Sequence, residues 1–245
     1  NGGRQQLLDP AIPDIEPSDQ AALFAELEWP HPGEWLSTLE ASPVIAGRDD
    51  PINRLPARLD DGLVYLEKYW QAEHDVARDL ATLAADPPSQ GPVLADDVVS
   101  SVSNALAASG IMLDPAQADA AIAAIMHRVS VLAGGPGTGK TTTVCALLAA
   151  LQQADPHLGA VALAAPSGKA AARLRDSVSH VSERMPDDLK PIVADATTVH
   201  SLLKWQGPGT SFGYDEHHKL PCGVVLVDEA SMLSLPLAAS LLSAI

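Results

Sequence analysis

The chain contains little cysteine and no long apolar run, and each shortage argues against a class of protein. Its 245 residues include two cysteines, far apart and without a CxxC pair, which disfavours a disulfide framework or a zinc site and fits a reducing compartment. No run of eighteen apolar residues occurs, and the first ten residues lack the basic start and apolar core of a secretory signal. We therefore expect a cytoplasmic protein with no membrane role.

Basic residues are also scarce, and their distribution divides the chain. The formal net charge is −16, which by itself disfavours nucleic acid as a partner because phosphate affinity comes mainly from lysine and arginine. Residues 1–130 hold 21 acids and 7 bases, whereas residues 131–245 hold 10 acids and 8 bases. This asymmetry predicts a first half that avoids polyanions and a second half that could bind one, unless the acidity serves solubility alone.

Aromatic residues make up only 4% of the chain. Three of the four tryptophans, Trp29, Trp35 and Trp70, lie in the first half. They predict either the core of a small domain, which is the more common role, or anchors at a protein interface.

The first half carries helix and hairpin signals followed by a proline-rich break. Ser18 precedes an apolar stripe as a helix N-cap does, and GEWLSTLEASP indicates another helical turn. Asp-Asp-Gly at 60–62 predicts a hairpin, with a helix from about Lys68. ADPPSQGPVLADD, residues 85–97, is typical of a linker or long loop. We predict a small acidic helical and hairpin domain over residues 1–95, linker included, whose charge favours docking on a protein rather than on DNA.

The second half alternates helices with apolar strands. Two helical patterns follow Asp96, the second from Pro115 to His127, and VSVLAGG, GAVALAAP and GVVLVDEAS then predict three strands. Strands that are apolar on both faces belong to parallel sheets covered by helices. We therefore predict an α/β domain with a doubly wound parallel sheet over residues 96–245.

A glycine-rich turn follows the first of these strands. It fits G-x-x-x-x-G-K-[ST], with a strand before it and a helix after it. Glycines let backbone N–H groups face phosphate oxygens, and the helix presents its positive end to the same anion. The lysine would contact the β and γ phosphates of ATP, and the next hydroxyl would bind Mg²⁺. The candidate nucleotide-binding residues are Gly134, Gly135, Pro136, Gly137, Thr138, Gly139, Lys140, Thr141 and Thr142.

Two acids end the last predicted strand. In VVLVDEAS, Asp228 follows the apolar run at the carboxyl edge of a parallel sheet, where it would bind Mg²⁺ beside the glycine-rich turn. Glu229 can then orient and deprotonate an attacking water. Together with Lys140, these acids predict a catalytic site for hydrolysis of ATP.

A second anion site is predicted at APSGKAAARL, which follows a strand and begins a helix. Backbone and side-chain donors of Ser167, Gly168 and Lys169 could bind phosphate about one strand away from the nucleotide. Lys169 and Arg173 lie four residues apart on one helix face, which suits a nucleic-acid backbone, the alternative being a solvated basic face. His200 in TTVHSLL could stack on a base or sugar, or hydrogen-bond within the core.

The order of these motifs resembles the RecD family, the alpha subunits of RecBCD helicase-nucleases (exodeoxyribonuclease V), which are superfamily 1 DNA helicases. Gln117, in LDPAQADAAIAAIMHR, occupies the place of the family's Q motif, whose glutamine reads the adenine edge through N7 and N6. ALAAPSGKAAARL matches the motif that lines the single-strand path, with Ser167 where the family more often has threonine. ATTVHSLL and VVLVDEASMLSLP resemble the next two motifs. The DNA-binding residues that follow are Pro166, Ser167, Gly168, Lys169, Arg173, Thr198 and His200.

The resemblance covers about residues 35–245 and carries functional expectations. It implies a P-loop, RecA-like fold and an ATP-dependent helicase moving 5′ to 3′ on single-stranded DNA, in a complex that repairs double-strand breaks. It implies RecC-like and RecB-like partners, since LDDGLVYLEKYWQAEHDVARDL is similar to the region by which RecD subunits contact RecC. The family's later motifs and its second RecA-like domain do not occur here, so residues 96–245 should be an incomplete motor domain, inactive alone.

Two other functions remain open. A stand-alone RecD-like helicase usually carries helix-hairpin-helix repeats ahead of the motor, and the first 110 residues show no such pattern. An assembly or regulatory subunit could bind ATP only as a structural ligand, which the presence of Lys140, Asp228 and Glu229 disfavours.

Overall fold

The computed structural model of the chain describes residues 30–51, 55–86, 92–135, 137–207 and 212–245. The helix expected after Ser18, Trp29 and Pro136 lie outside these residues. The chain divides into two compact units, residues 1–73 and 74–245. Each unit is described separately below.

The first unit contains a helix, a three-stranded sheet and the start of a second helix. Its elements are α1 (Pro32–Glu40), β1 (Ile45–Gly47), β2 (Ala57–Asp60), β3 (Leu63–Leu66) and the first part of α2 (Glu67–Ala85). Strands β2 and β3 pair antiparallel through Asp61 and Gly62, both with positive φ, and β1 pairs parallel to β2. Two left-handed residues are what a two-residue hairpin turn requires. The predicted hairpin and the helix after it are confirmed.

A buried arginine organises the first unit. Arg58 is fully buried on β2, and its guanidinium donates to both carboxylate oxygens of Glu67 at 2.8 Å. It also donates to the carbonyl oxygens of Gly47 and Asp50 and lies 4.2 Å from the centre of the Trp70 ring. A buried charge persists only when it is paired and hydrogen-bonded in this way. Trp70 is half-buried beside this guanidinium and Trp35 is 43% exposed, so a core role for the tryptophans stays a prediction.

The second unit begins within α2, so its boundary differs from the predicted one at residue 95. The side chain of Arg128 donates to the carbonyl oxygen of Asp86 at 2.7 Å and pairs with its carboxylate at 2.9 Å. These contacts attach the end of α2 to the second unit. The second half of the predicted linker is also wrong, because α3 (Pro92–Ala108) begins there. Proline is tolerated in a first helical turn, and Ala95, Val99, Val102 and Leu106 bury the face that follows.

Four longer helices and a parallel sheet make up the rest of the second unit. The helices are α3, α4 (Pro115–Met126), α5 (Lys140–Ala154) and α6 (Gly168–Ser182), with shorter α7 (Val199–Leu202) and α8 (Leu235–Ser243). The strands β4 (Val161–Ala165), β5 (Thr197–Thr198) and β6 (Val224–Val227) lie in the order β5-β4-β6, all parallel. This arrangement follows the predicted helix–strand alternation.

The central strand β4 has helices on both of its faces. Val161 and Leu163 pack into a core formed with α3, α4, α5 and α6, whereas Ala164 packs into a second core with α7 and α8. Because side chains alternate along a strand, these two sets mark the two faces of the sheet. The predicted doubly wound α/β architecture is therefore confirmed.

One predicted strand is wrong. Residues 129–135, VSVLAGG, form no strand, and the side chain of Val131 is 89% exposed. Within the described residues the sheet ends at β6, and no strand pairs with VSVLAGG. An extended segment without a neighbour cannot satisfy its backbone N–H and C=O groups in a sheet, so apolar character alone does not make it a strand.

Candidate functional site

The glycine-rich turn before α5 folds around its own lysine. Gly137 and Gly139 both have a φ of +76°, a left-handed conformation that glycine adopts without a steric cost. Lys140 Nζ donates to the carbonyl oxygens of Gly134 at 2.7 Å and Gly135 at 2.8 Å. The ammonium group thus lies against the loop backbone, and its hydrogen bonds are made to carbonyl oxygens that a phosphate would replace.

The amino end of α5 fits an anion. Gly139 is its N-cap and offers no side chain for capping, and within the described residues no other side chain accepts from the first-turn N–H groups. Uncapped N–H groups and the helix dipole both favour a negative ligand. Within the described residues, no hydrogen bond engages the Thr141 hydroxyl. The donors that a nucleoside triphosphate needs and one oxygen suited to Mg²⁺ are therefore available here.

Gln117 is brought directly to this loop. Its Nε2 donates to the carbonyl oxygen of Thr138 at 3.1 Å, and its Oε1 accepts from the backbone N–H of Asp114 at 3.0 Å. A Cβ at Gly139 would come within 2.6 Å of Gln117 Nε2. The α4 amino end and the loop therefore touch through one amide group, 21 residues apart in sequence.

The two acids lie where the strand pattern places them. Asp228 directly follows β6, and its backbone N–H donates to the Ala164 carbonyl of β4 at 2.9 Å. Asp228 Oδ1 accepts from the N–H of Glu229 at 3.0 Å, and Glu229 is exposed with a φ of +53°. Left-handed backbone in a residue other than glycine often marks a functional position. Among the described residues, no hydrogen bond or ion pair joins these acids to Lys140 or Thr141.

The residues predicted to bind DNA share the carboxyl edge of the sheet with Asp228. Ala165 pairs with Thr198, and Ala164 with Val227, so the three strands end at the same level. Ser167 caps α6 by accepting from Ala170 N–H at 3.2 Å, and Thr198 caps α7 by accepting from Ser201 N–H at 3.1 Å. Ligands of open α/β sheets bind beyond this edge.

The basic residues of this edge are free to reach a ligand. Lys169 and Arg173 are exposed on α6, four residues apart, and neither forms an ion pair within the described part of the chain. Pro166 and Gly168 flank the Ser167 cap between β4 and the helix. The prediction of a shared helix face is consistent with α6, while contact with nucleic acid stays a prediction.

His200 lies in an aromatic group that sequence reasoning did not anticipate. Its side chain is exposed, so the alternative of a core histidine is wrong. The ring lies edge-on to Trp205, with centroids 5.7 Å apart, and 6.2 Å from Phe212. Trp205 is 49% exposed. His200 lies on the short helix α7 and Trp205 follows the end of that helix, and this closeness in sequence was the available signal. Sequence reasoning passed over Trp205 because the other tryptophans lie in the first half.

Asp114 was also missed, although its signal is local. It is the N-cap of α4, its carboxylate accepts from Gln117 N–H at 2.9 Å, and the Gln117 side chain returns to the Asp114 N–H. Asp-Pro-Ala-Gln before an apolar helix has the form of a capping box. The pattern could therefore have shown that Gln117 serves the helix as well as the loop.

Comparison with known proteins agrees with the motifs. Residues 117–245, more than half of the chain, match the AAA domain family. The chain is 39% identical over 226 residues to the RecBCD enzyme subunit RecD of Mycobacterium tuberculosis (strain H37Rv), covering 90% of the chain and 36% of the relative. It is 31% identical over 212 residues to the same subunit of Haemophilus influenzae, covering 82% and 32%. It is 33% identical over 189 residues to the ATP-dependent RecD2 DNA helicase of Deinococcus radiodurans, covering 77% and 23%.

The chain spans about a third of the length of the curated RecD relatives it matches. None of the helices in the described part of the chain combines the length and apolar character needed to cross a membrane. The glycine-rich turn, the parallel sheet and the family match of the chain all indicate a P-loop, RecA-like architecture. The chain therefore belongs to the AAA domain family, and the resemblance to RecD that its motifs carry is confirmed.

Proposed function

We propose that the chain is the first motor domain of an ATP-dependent 5′–3′ DNA helicase, a subunit of a cytoplasmic RecBCD-type helicase-nuclease acting in double-strand-break repair and recombination. The observation that carries this proposal is the pairing of Gln117 with the glycine-rich turn through the Thr138 carbonyl. The Gln117 amide lies beside the loop residues, which supports a role for it in reading the base of a nucleotide bound there. The RecD relatives support the helicase class.

ATP would occupy the turn between α4 and α5. Backbone N–H groups of the loop and of the uncapped α5 terminus would hold the phosphates, with Lys140 turning from the Gly134 and Gly135 carbonyls to the β and γ oxygens. Gln117 would read the adenine edge. The remaining candidate nucleotide-binding residues are Gly137, Thr138, Gly139, Thr142 and, outside the described residues, Pro136.

Hydrolysis requires a cation, and the donor chemistry fits Mg²⁺. The Thr141 hydroxyl and an Asp228 carboxylate are hard oxygen ligands, and Mg²⁺ is usually held by one or two such groups plus phosphate oxygens. When bound, Mg²⁺ offsets charge on the phosphates. Glu229 would orient the attacking water and accept its proton. The described residues contain no cluster of three or more acids, histidines or cysteines that would hold a metal independently of nucleotide.

Single-stranded DNA would cross the carboxyl edge of the sheet. Ser167, Gly168, Lys169 and Arg173 at the start of α6 would bind its backbone. On the β5 side, Thr198 would contact the strand and His200 would offer a ring for stacking on a base or sugar. Exposure of Lys169, Arg173 and His200 supports these roles, whereas Thr198 is half-buried and its hydroxyl is bonded to Ser201.

The acidic first part, residues 1–95, would dock on a RecC-like subunit rather than on DNA, within a heterotrimer that also holds a RecB-like subunit. The motor region 96–245 would lack the arginines of a second RecA-like domain. This chain alone should therefore bind ATP–Mg²⁺ weakly and hydrolyse it too slowly to be useful, with a loss on the order of 10³ to 10⁵ in rate by analogy with arginine fingers.

A stand-alone helicase is the second candidate, favoured by the similarity to the Deinococcus radiodurans RecD2 helicase. A non-motor subunit with structural ATP is the third.

The deciding experiment is DNA-stimulated ATP hydrolysis by the full-length protein with its partner subunits. Lys140→Ala should cut turnover by several orders of magnitude, because positioning and electrostatics supply most of phosphoryl-transfer catalysis. Glu229→Gln should retain ATP binding while hydrolysis stalls. Hydrolysis unchanged in both variants would reject Lys140 and Glu229 as catalytic residues, whereas no DNA-stimulated hydrolysis by the unaltered complex would leave only the structural use of ATP. Robust oligo-dT-stimulated ATP turnover by residues 1–245 alone would overturn the proposal that these residues form an incomplete motor.

A further inference from the structure

The short helix α7 ends in a turn that brings Trp205 back against His200. The backbone N–H of Trp205 donates to the His200 carbonyl at 2.9 Å, and the N–H of Lys204 donates to the Ser201 carbonyl at 3.0 Å. With the positive φ of Lys204, +54°, these bonds form a Schellman motif, in which side chains at the positions of Trp205 and His200 often pack together. Their rings do so here, edge to face, with centroids 5.7 Å apart. The backbone of the turn therefore fixes where the indole lies.

The left-handed residue of this turn is a lysine, whereas glycine is usual at that position because it has no Cβ to strain. Backbone strain in a residue other than glycine is found mostly at functional positions. Lys204 is exposed, and its ammonium lies 4.7 Å from the centre of the Tyr214 ring. Within the described residues it forms no ion pair. The turn thus holds a positive charge next in sequence to the indole.

The two rings differ in how they are supported. Phe212 packs on the second core, the one formed with α7 and α8, and its ring lies 6.2 Å from the His200 ring. Trp205 packs into neither core of the described second unit and is 49% exposed. An indole fixed by its own backbone and by one ring contact, with half of its surface in solvent, offers a rigid flat face to a ligand.

These rings stand beside the edge where DNA is proposed to cross. Ala165 at the end of β4 pairs with Thr198 at the end of β5, so the strand ends that lead into α6 and α7 are neighbours, about 4.8 Å apart. Lys169 and Arg173 on α6 suit phosphates, and the rings at α7 suit bases. A single strand of nucleic acid offers both groups at once, whereas a duplex keeps its base faces stacked on one another.

We propose that Trp205 is a DNA-binding residue that stacks on a nucleobase, and that its indole and the His200 ring together form the base-stacking surface of the carboxyl edge. The inference rests on the proposed path of single-stranded DNA and adds a base contact to the phosphate contacts there. Because every base has an aromatic face, such a contact tolerates any sequence. It suits a protein that must move along DNA of any composition.

The test measures binding of the full-length protein to a labelled oligo-dT and to an abasic oligonucleotide of the same length, which has the phosphates without the bases. Trp205→Ala should weaken oligo-dT binding about fivefold or more, the lower end of what stacking on one base contributes. It should leave abasic binding and the salt dependence unchanged, because no phosphate contact is lost. Trp205→Phe, which keeps a ring, should retain most of the affinity. Trp35→Ala is the matched control, since Trp35 is 43% exposed in the first unit, and it should change neither affinity.

The outcomes separate this inference from the proposed DNA path. Equal losses for both oligonucleotides in Trp205→Ala would show that the indole only stabilises α7, and would overturn the stacking role. Unchanged oligo-dT binding would overturn it as well, and loss of co-purification with partner subunits in the same variant would assign the ring to a protein interface. If the unaltered protein binds neither oligonucleotide, the DNA path itself is refuted, and the inference falls with it.

Discussion

Gly139→Ala is the substitution that most directly tests how the loop and Gln117 fit together. Gly139 combines a φ of +76° with a close neighbour, since an added Cβ would lie 2.6 Å from Gln117 Nε2. Gly137 and Gly110 have the same φ but open space around the added atom. The three glycines therefore separate backbone strain from steric displacement.

The expected free-energy cost follows from these contacts. Left-handed backbone costs about 1–2 kcal/mol for a residue with a Cβ, and this term is common to all three positions. At Gly139 the amide must also move, giving up its bonds to Thr138 O and Asp114 N–H, each worth about 0.5–1.5 kcal/mol. Gly139→Ala should thus lower the free energy of unfolding by about 2–5 kcal/mol, against about 1–2 kcal/mol for Gly137→Ala and Gly110→Ala.

Urea unfolding of the second unit measures these differences. A double-mutant cycle with Gln117→Ala isolates the steric part, because without the amide Gly139→Ala should cost no more than Gly110→Ala. Equal costs for all three glycines in the unaltered background would refute the reasoning, since they would show that Gln117 is not held against the loop. If Gln117 contributes to the proposed ATP site, ATP binding should fall with Gly139→Ala even where the variant remains folded, because the amide is displaced from the loop.

Three further predictions concern other parts of the chain. Lys169→Gln should weaken oligo-dT binding and reduce the slope of log affinity against log salt by about 0.7, as one lost phosphate contact does; an unchanged slope would mark Lys169 as a solvated surface charge. Glu67→Ala should destabilise the first unit by about 3–5 kcal/mol in urea titrations, because it leaves the Arg58 guanidinium buried without its carboxylate; a cost below about 1 kcal/mol would contradict that burial. Burial raises the pKa of the Cys145 thiol to about 11 and also raises the pKa of Cys222, so iodoacetamide should modify Cys145 more slowly than Cys222 at pH 8. Because unfolded Cys145 would lose its proton near pH 9, its contribution to stability should be lost between about pH 9 and 11.

Local signals in the sequence determined much of the fold and predicted a candidate nucleotide site. Asp61 and Gly62 suit a hairpin because both can adopt positive φ, and the apolar runs at 161–165 and 224–227 suit buried parallel strands. The turn ending at Lys140 could be read without a structure because its function depends on glycine conformations and backbone donors that adjoin in sequence. The catalytic roles of Lys140, Asp228 and Glu229 remain predictions, and so does DNA binding at the carboxyl edge of the sheet.

Only the tertiary structure decided the features that depend on distant residues. VSVLAGG has the composition of a strand, but a strand exists only where a neighbour accepts its hydrogen bonds, and β6 ends the described sheet. Gln117 could not be assigned to both the helix cap and the loop until Thr138, 21 residues away, lay within 3.1 Å. Arg58 carries no sequence sign of burial, since only Glu67 and surrounding carbonyls make a buried guanidinium tolerable. Propensity and periodicity act between near neighbours along the chain, whereas pairing, register and charge compensation are set by residues that folding alone brings together.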